Sequence, residues 1–162
     1  MARVTHKHQH NGFFGIGIAN HGDALNIGSL WRSAYILGAA FIFTIGRKYR
    51  HQGSDVTSAW ARIPLYHYPS ITELKTHLPH ATPLIGVEMS ANATPLAEFQ
   101  HPDRAIYLLG NEQVGLSASQ LAECHKVISL PGHFSLNVAV TGSIVMYDRV
   151  SKTPQPLPGR AD

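Results

Sequence analysis

Short apolar runs rich in β-branched and aromatic residues recur along the chain: FFGIGIA, AFIFTIG, IPLYHY, PLIGVEM, AIYLLG and KVISLP. Each has the length and make-up of a buried strand. The segments between several of them carry helical spacing instead. Residues 27–37 predict a helix with Leu30, Ala34 and Leu37 on one stripe and Gly38 in the C′ position. Ser70 is suited to cap a short helix over ITELKTHL, and residues 117–124 predict another, begun by Ser117 or Ser119. The last helix is predicted from Leu136 to Val150. Its stretch from Val138 to Tyr147 has no charge and is apolar all round, which belongs in a core or an interface. Ala139, Gly142 and Ser143 on it would let a second helix come close. Strands alternating with helices predict an α/β fold, a mainly parallel sheet with helices on both faces.

The remaining segments set the limits. Lys48 to Ala59 is polar and reads as a loop; residues 151–162 are proline-rich and read as a flexible tail, leaving residues 1–150 as one domain. Formal charge is +3 with histidines neutral, which permits an anionic partner without requiring one. Cys124 is the single cysteine, so a disulfide framework and a cysteine zinc site are excluded, and a cytoplasmic, reducing compartment is expected. No signal peptide or membrane helix is legible. His6, His8 and His10 alternate near the amino terminus and read as a solvated segment rather than a metal site.

Three loops carry polar residues where strands meet helices. In ALNIGSLWR, Asn26 is placed to cap the following helix, Gly28 permits close approach of a ligand or backbone, and Arg32 follows within the same helix. In YLLGNEQVGLS, Gly110 and Gly115 bracket Asn111 and Glu112 at a strand's carboxyl end, where α/β folds bind ligands. In SLPGHFSLN, Ser135 and Asn137 stand at the head of the apolar last helix. A dinucleotide loop at Gly15 to Gly17 fails, because the third glycine position is Asn20.

Together the three segments resemble the motif set of the SpoU (TrmH-like) branch of the SPOUT RNA methyltransferases. The matching residues are Asn26, Gly28 and Arg32; then Gly110, Glu112 and Gly115; then Pro131, Gly132, Ser135, Leu136, Asn137 and Val138. The resemblance implies a trefoil knot in the carboxyl-terminal half and a homodimer whose sites are completed across the interface. It implies S-adenosyl-L-methionine as cofactor, held by Gly86, Val87, Glu88, Leu109, Gly110, Asn111, Ile128, Leu130, Ser135, Leu136, Asn137 and Ala139. The reaction implied is methyl transfer to a ribose 2′-hydroxyl of RNA, tRNA rather than rRNA. The alternatives are an inactive RNA-binding homologue or a guanine N1 methyltransferase. Catalytic roles fall to Arg32, Asn26, Glu112, Ser135 and Asn137, with Glu112 holding Arg32 or Asn26. Because a guanidinium is normally always protonated, Arg32 is expected to clamp phosphate and stabilise charge rather than abstract a proton. Arg47, Lys48 and Arg50 join Arg32 as RNA-binding candidates, and His133 is expected to be a spectator. No metal is required.

Overall fold

The computed structural model describes residues 12–50 and 59–159. In chain order the elements are β1 (Phe13–Ala19), α1 (Ala24–Ile36), β2 (Phe41–Ile45), β3 (Leu65–Tyr68), α2 (Ile71–Thr76), β4 (Leu84–Val87), β5 (Thr94–Pro95), β6 (Arg104–Leu109), α3 (Ala118–Glu123), β7 (Lys126–Ser129) and α4 (Val138–Lys152). The strands form one sheet in the order β3-β2-β1-β6-β4-β7-β5. Every strand pair in it is parallel.

Alternation along the strands divides the core in two. Phe14, Ile16, Ile18, Tyr107 and Leu109 face α1 and α4, while Phe43, Ile106 and Leu108 face the side that carries α2. The small residues on α4 take the role expected of them, with α1 as the neighbour. A Cβ added at Gly142 would lie 2.5 Å from Leu30 Cδ1 and 3.0 Å from Leu109 Cδ1, so a larger residue there would have to push those side chains aside. One turn-face away, Ser143 Oγ donates to Ser33 Oγ at 2.9 Å.

All the expected strands are present. The two-residue β5 was invisible in the sequence, since Thr94 and Pro95 are both exposed and carry no apolar alternation. Helix starts differ more. α1 begins at Ala24 because Asp23, not Asn26, is its cap: the Asp23 carboxylate accepts from Leu25 N at 2.9 Å. α4 begins at Val138, capped by Asn137, and runs to Lys152 rather than Val150. Ser70 and Ser117 cap α2 and α3, the latter in a reciprocal capping box with Gln120. In the proline-rich tail, Gln155 donates to the Gly38 carbonyl at 3.3 Å. His6, His8 and His10 and positions 51–58 of the polar loop lie outside the described residues. Among those described, no helix is long and apolar enough to cross a membrane.

A buried polar clasp fixes the last helix at the end of the sheet where β6 begins. Arg149, 1% exposed, donates to the carbonyls of Pro102 and Asp103 at 2.7 Å and to the Tyr107 hydroxyl at 3.2 Å. His101 joins the same set, with Nδ1 2.5 Å from the Tyr107 hydroxyl and Nε2 2.8 Å from Asp148. A neutral imidazole satisfies this circuit: Nε2–H donates to Asp148, and Nδ1 accepts from Tyr107, whose oxygen accepts from Arg149. Burial pushes the Tyr107 hydroxyl up to about 12 and holds His101 below its ordinary 6.5, although Asp148 pulls the other way.

Two outcomes follow for urea unfolding. Asp148→Ala leaves the buried His101 donor unpaired and is expected to cost about 2 kcal/mol. For the native chain, the depressed folded-state value of His101 means that the unfolded chain takes up the proton first. Its contribution is fully present above pH 6.5 and is lost as pH falls from there toward the folded value. Unfolding midpoints at pH 8 and pH 5 measure the drop, and a His101→Gln variant should show less of it.

Candidate active site

At the carboxyl ends of the strands, three loops distant in sequence meet through side-chain amides. The first leaves β1 through Asn20 and reaches Asn26 in the opening turn of α1. Because Asp23 takes the capping task, the Asn26 side chain is free to turn outward. Its Nδ2 donates to Glu112 Oε1, and its Oδ1 accepts from Asn137 Nδ2 at 2.9 Å. Asn137 Oδ1 in turn accepts from Ala139 N at 2.9 Å and Val140 N at 3.3 Å, which caps α4. A single line of hydrogen bonds therefore runs from Glu112 through Asn26 to the head of the last helix. Glu112 Oε2 also accepts from Gly22 N at 3.4 Å.

The second loop is held by its neighbours as well. Asn111 Nδ2 donates to the Asn20 carbonyl at 2.6 Å, and Gly115 N donates to the Asn111 carbonyl at 2.8 Å. Gly115 has φ +65°, a backbone state that suits glycine. Glu88, from the end of β4, accepts from Leu116 N at 2.7 Å and Met89 N at 2.9 Å, which ties that strand end to the same loop.

Between the second and third loops lies a cleft of about 240 Å³. Of the expected cofactor residues, Val87, Glu88, Leu109, Gly110, Asn111, Leu130, Ser135 and Leu136 line it. Gly86 and Ile128 do not. A Cβ on Gly86 would point at Cys124 and Leu116 on the opposite face, and Ile128 is wholly buried in the core. Asn137 and Ala139 face a different groove, between α1 and α4, that Asn26, Ser33 and Tyr147 also line. Sequence reasoning missed Met89, Gln113, Val114, Phe134 and Thr141, all lining residues, and named Val138, which also lines the cleft, only as part of the third motif. Most flank the motifs by one or two positions, and that adjacency was the available signal. Phe134 is 88% exposed at the cleft mouth.

Arg32 stands apart from this cleft. It lies six residues beyond Asn26, about 120° around the helix from it, and is exposed. Of the two partners expected for Glu112, the carboxylate therefore has Asn26. Exposed apolar residues share this side of α1 and continue onto α4: Leu25 is 64% exposed, and Ile36, Val140, Ile144 and Tyr147 are exposed as well. Gly28 has open space on its Cβ side.

A broader groove, of about 1260 Å³, adjoins the hydrogen-bond line and is lined by Asn26, Glu112, Arg47, Lys48 and Arg50, with His21. Arg47 donates to the carbonyls of His21 at 3.4 Å and Gly22 at 3.2 Å, so it braces the first loop. Burial, and then the charge of Arg47, hold the His21 imidazole below its ordinary range. His133 is exposed and lines neither cleft.

Residues 14–147 match the model of the SpoU rRNA Methylase family. The chain belongs to that family. Over 136 residues the SpoU chain is 29% identical to the mouse (Mus musculus) tRNA (guanosine(18)-2'-O)-methyltransferase TARBP1, covering 76% of this chain and 8% of that protein. Among solved structures, the SpoU methyltransferase AviRb from Streptomyces viridochromogenes superposes with a TM-score of 0.76 at 25% identity, over 86% of this chain and 59% of its own. AviRb has also been solved in complex with AdoMet. The fold is shared too by the A. aeolicus TrmH/SpoU tRNA modifying enzyme, with a TM-score of 0.77 at 16% identity over 86% of this chain and 74% of that one. The SpoU chain thus spans a small part of TARBP1 and about three fifths of AviRb.

The hydrogen-bond line is testable by stability alone. Asn137→Ala removes both the α4 cap and the contact to Asn26, and is expected to lower unfolding free energy by about 1–2 kcal/mol. In a double-mutant cycle, Asn26→Ala together with Asn137→Ala should cost less than the sum of the two by about 0.5 kcal/mol or more. Additive losses in urea titrations would mean that the two amides do not interact.

Proposed function

We propose that this chain transfers the methyl group of S-adenosyl-L-methionine to a ribose 2′-hydroxyl of RNA, with tRNA the preferred class. The observation that carries the reading is the line from Glu112 through Asn26 to Asn137, which gathers three family motifs at one edge of a parallel sheet. The similarity to TARBP1, a tRNA (guanosine(18)-2'-O)-methyltransferase, supports the substrate class. The basic groove beside the line offers Arg47, Lys48 and Arg50 to a phosphate backbone. A cytosolic setting suits the single cysteine.

The cleft fits the cofactor in kind. Apolar walls from Leu109, Leu130, Leu136 and Val138 stand beside the backbone of Gly110 and Pro131, as a ring with polar edges requires. When bound, S-adenosyl-L-methionine supplies a methyl group on a sulfonium sulfur that needs little activation. The chain must then align the ribose oxygen with that methyl, stabilise the oxygen as it loses its proton, and keep the two reactants in line. Ser135, on the cleft wall, is placed to orient the hydroxyl. Glu112 fixes the rotamer of Asn26, and Asn26 fixes that of Asn137, so the polar heads of α1 and α4 hold one arrangement.

Arg32 supplies the cation in this scheme, clamping the phosphate next to the reacting ribose. Its position on the exposed apolar side of α1 suits delivery to the cleft of a second copy. The stripe of Leu25, Ile36, Val140, Ile144 and Tyr147 is the surface on which that copy docks. The knot implied by the family resemblance belongs to the same proposal. It is supported by the placing of β6 between β1 and β4, with β7 beyond β4.

The test is incubation with methyl-labelled cofactor and unmodified small RNA, followed by nucleoside mass spectrometry. A 2′-O-methyl nucleoside is expected. Arg32→Ala should lower turnover by about 100-fold or more while S-adenosylhomocysteine affinity is kept. Ile144→Asp should give a monomer by sedimentation and lose activity with it. Label on a base, or a fully active monomer, would reject the reading.

A further inference from the structure

The apolar lining of the cofactor cleft does not stop at its floor. Val87, Leu109 and Val138 are buried there, whereas Val114 is 80% exposed, Phe134 is 88% exposed, and Met89 and Leu136 are exposed as well; all of them line the same cleft. Among the described residues, Phe134 is the large apolar side chain most open to solvent. One exposed apolar residue needs no explanation, but several around a single mouth mark a binding surface. Packing does not account for Phe134, since so little of it is covered.

Position and chemistry indicate what meets it. Phe134 directly precedes Ser135, which lines the cleft wall and is placed to orient the reacting hydroxyl. A side chain beside that ribose is also beside its base. The cleft and the basic groove share Asn111, Glu112 and Gln113. A strand whose phosphates are held by Arg47, Lys48 and Arg50 would therefore run past the cleft mouth. A 2′-hydroxyl can be lined up with a methyl group inside a cleft only if its nucleotide leaves the stack of its neighbours. Proteins that take up such an unstacked base commonly replace the lost stack with an aromatic face. Phe134 supplies one on the third loop, and Val114, on the second loop, bounds the same mouth with an apolar side chain. The buried part of the lining is left for the ring of the cofactor.

We propose that Phe134 is a substrate-contacting residue that stacks on the base of the nucleotide being methylated, in a slot bounded by Val114. The inference rests on the proposed RNA methylation and adds to it a place for the base. A phenyl ring carries no hydrogen-bonding group, so the contact positions the base without choosing its identity.

Three variants separate stacking from other roles. Phe134→Ala removes the face, Phe134→Trp restores a larger one, and Phe134→Leu keeps apolar bulk without an aromatic ring. Methyl transfer to unmodified tRNA transcripts gives kcat/KM, titration calorimetry gives S-adenosylhomocysteine affinity, and sedimentation gives the oligomeric state. Phe134→Ala is expected to lower kcat/KM for the RNA by about 10-fold or more, with cofactor-product affinity, sedimentation and melting temperature unchanged. Phe134→Trp should recover most of that loss and Phe134→Leu much less. Wild-type kcat/KM in Phe134→Ala overturns the proposal. So does an equal fall in S-adenosylhomocysteine affinity, which is a lid over the cofactor, or a change in sedimentation, which is a contact between copies. Recovery by Phe134→Leu as full as by Phe134→Trp overturns stacking in favour of plain apolar contact. A wild-type chain that methylates no RNA rejects the proposed function itself, whereas methylation with an indifferent Phe134→Ala rejects only the contact assigned here.

Discussion

Two hydrogen bonds between side chains far apart in sequence organise this site: the amide of Asn26 donates to Glu112 and accepts from Asn137. An asparagine can do this because it carries a donor and an acceptor on one rigid plane. The donor end meets the carboxylate from the loop after β6, and the acceptor end meets the amide that caps α4. The cap adds a backbone constraint, since Asn137 is held by two amides of α4 and by Asn26 together. The polar start of an otherwise apolar helix is explained by this line: the helix must be apolar to lie in the core, and its head must be polar to join the site.

The scaffold serves that junction. A parallel sheet brings the carboxyl ends of β1, β6 and β7 to one edge, so the loops that follow them are neighbours whatever their distance in sequence. α1 and α4 close over the first face and bring their amino-terminal turns to the same edge. Far from it, the Arg149, Tyr107, His101 and Asp148 clasp pins the other end of α4. The helix is thus secured at both ends by polar groups and in the middle by close packing at Gly142. This arrangement holds the head of the helix in one position.

Much of this was legible in the sequence, for physical reasons. The strands β1, β2, β4 and β6 were clear because nearly every position in them is buried, so they read as almost unbroken apolar runs. The cap at Ser70 was clear, and at α3 the structure chooses Ser117 over Ser119 because Ser117 completes a reciprocal capping box with Gln120. α1 was misread by three residues because Asp23 and Asn26 are both good caps, and composition alone does not choose between them. The choice matters, since a capping Asn26 would have spent its oxygen on backbone rather than on Asn137. Arg32 was expected near the cleft because it is close to Asn26 in sequence, but helical rotation carries it to another side. Gly86 and Ile128 were nominated by motif neighbourhood, whereas strand alternation sends the first to the opposite face and buries the second.

The most direct measurement is a crystal structure of the chain with S-adenosylhomocysteine. The account predicts the nucleoside between the loops at 109–116 and 130–138, with Asn26 still bonded to both Glu112 and Asn137. A ligand bound elsewhere, or an Asn26 amide turned away from those two partners, would contradict it.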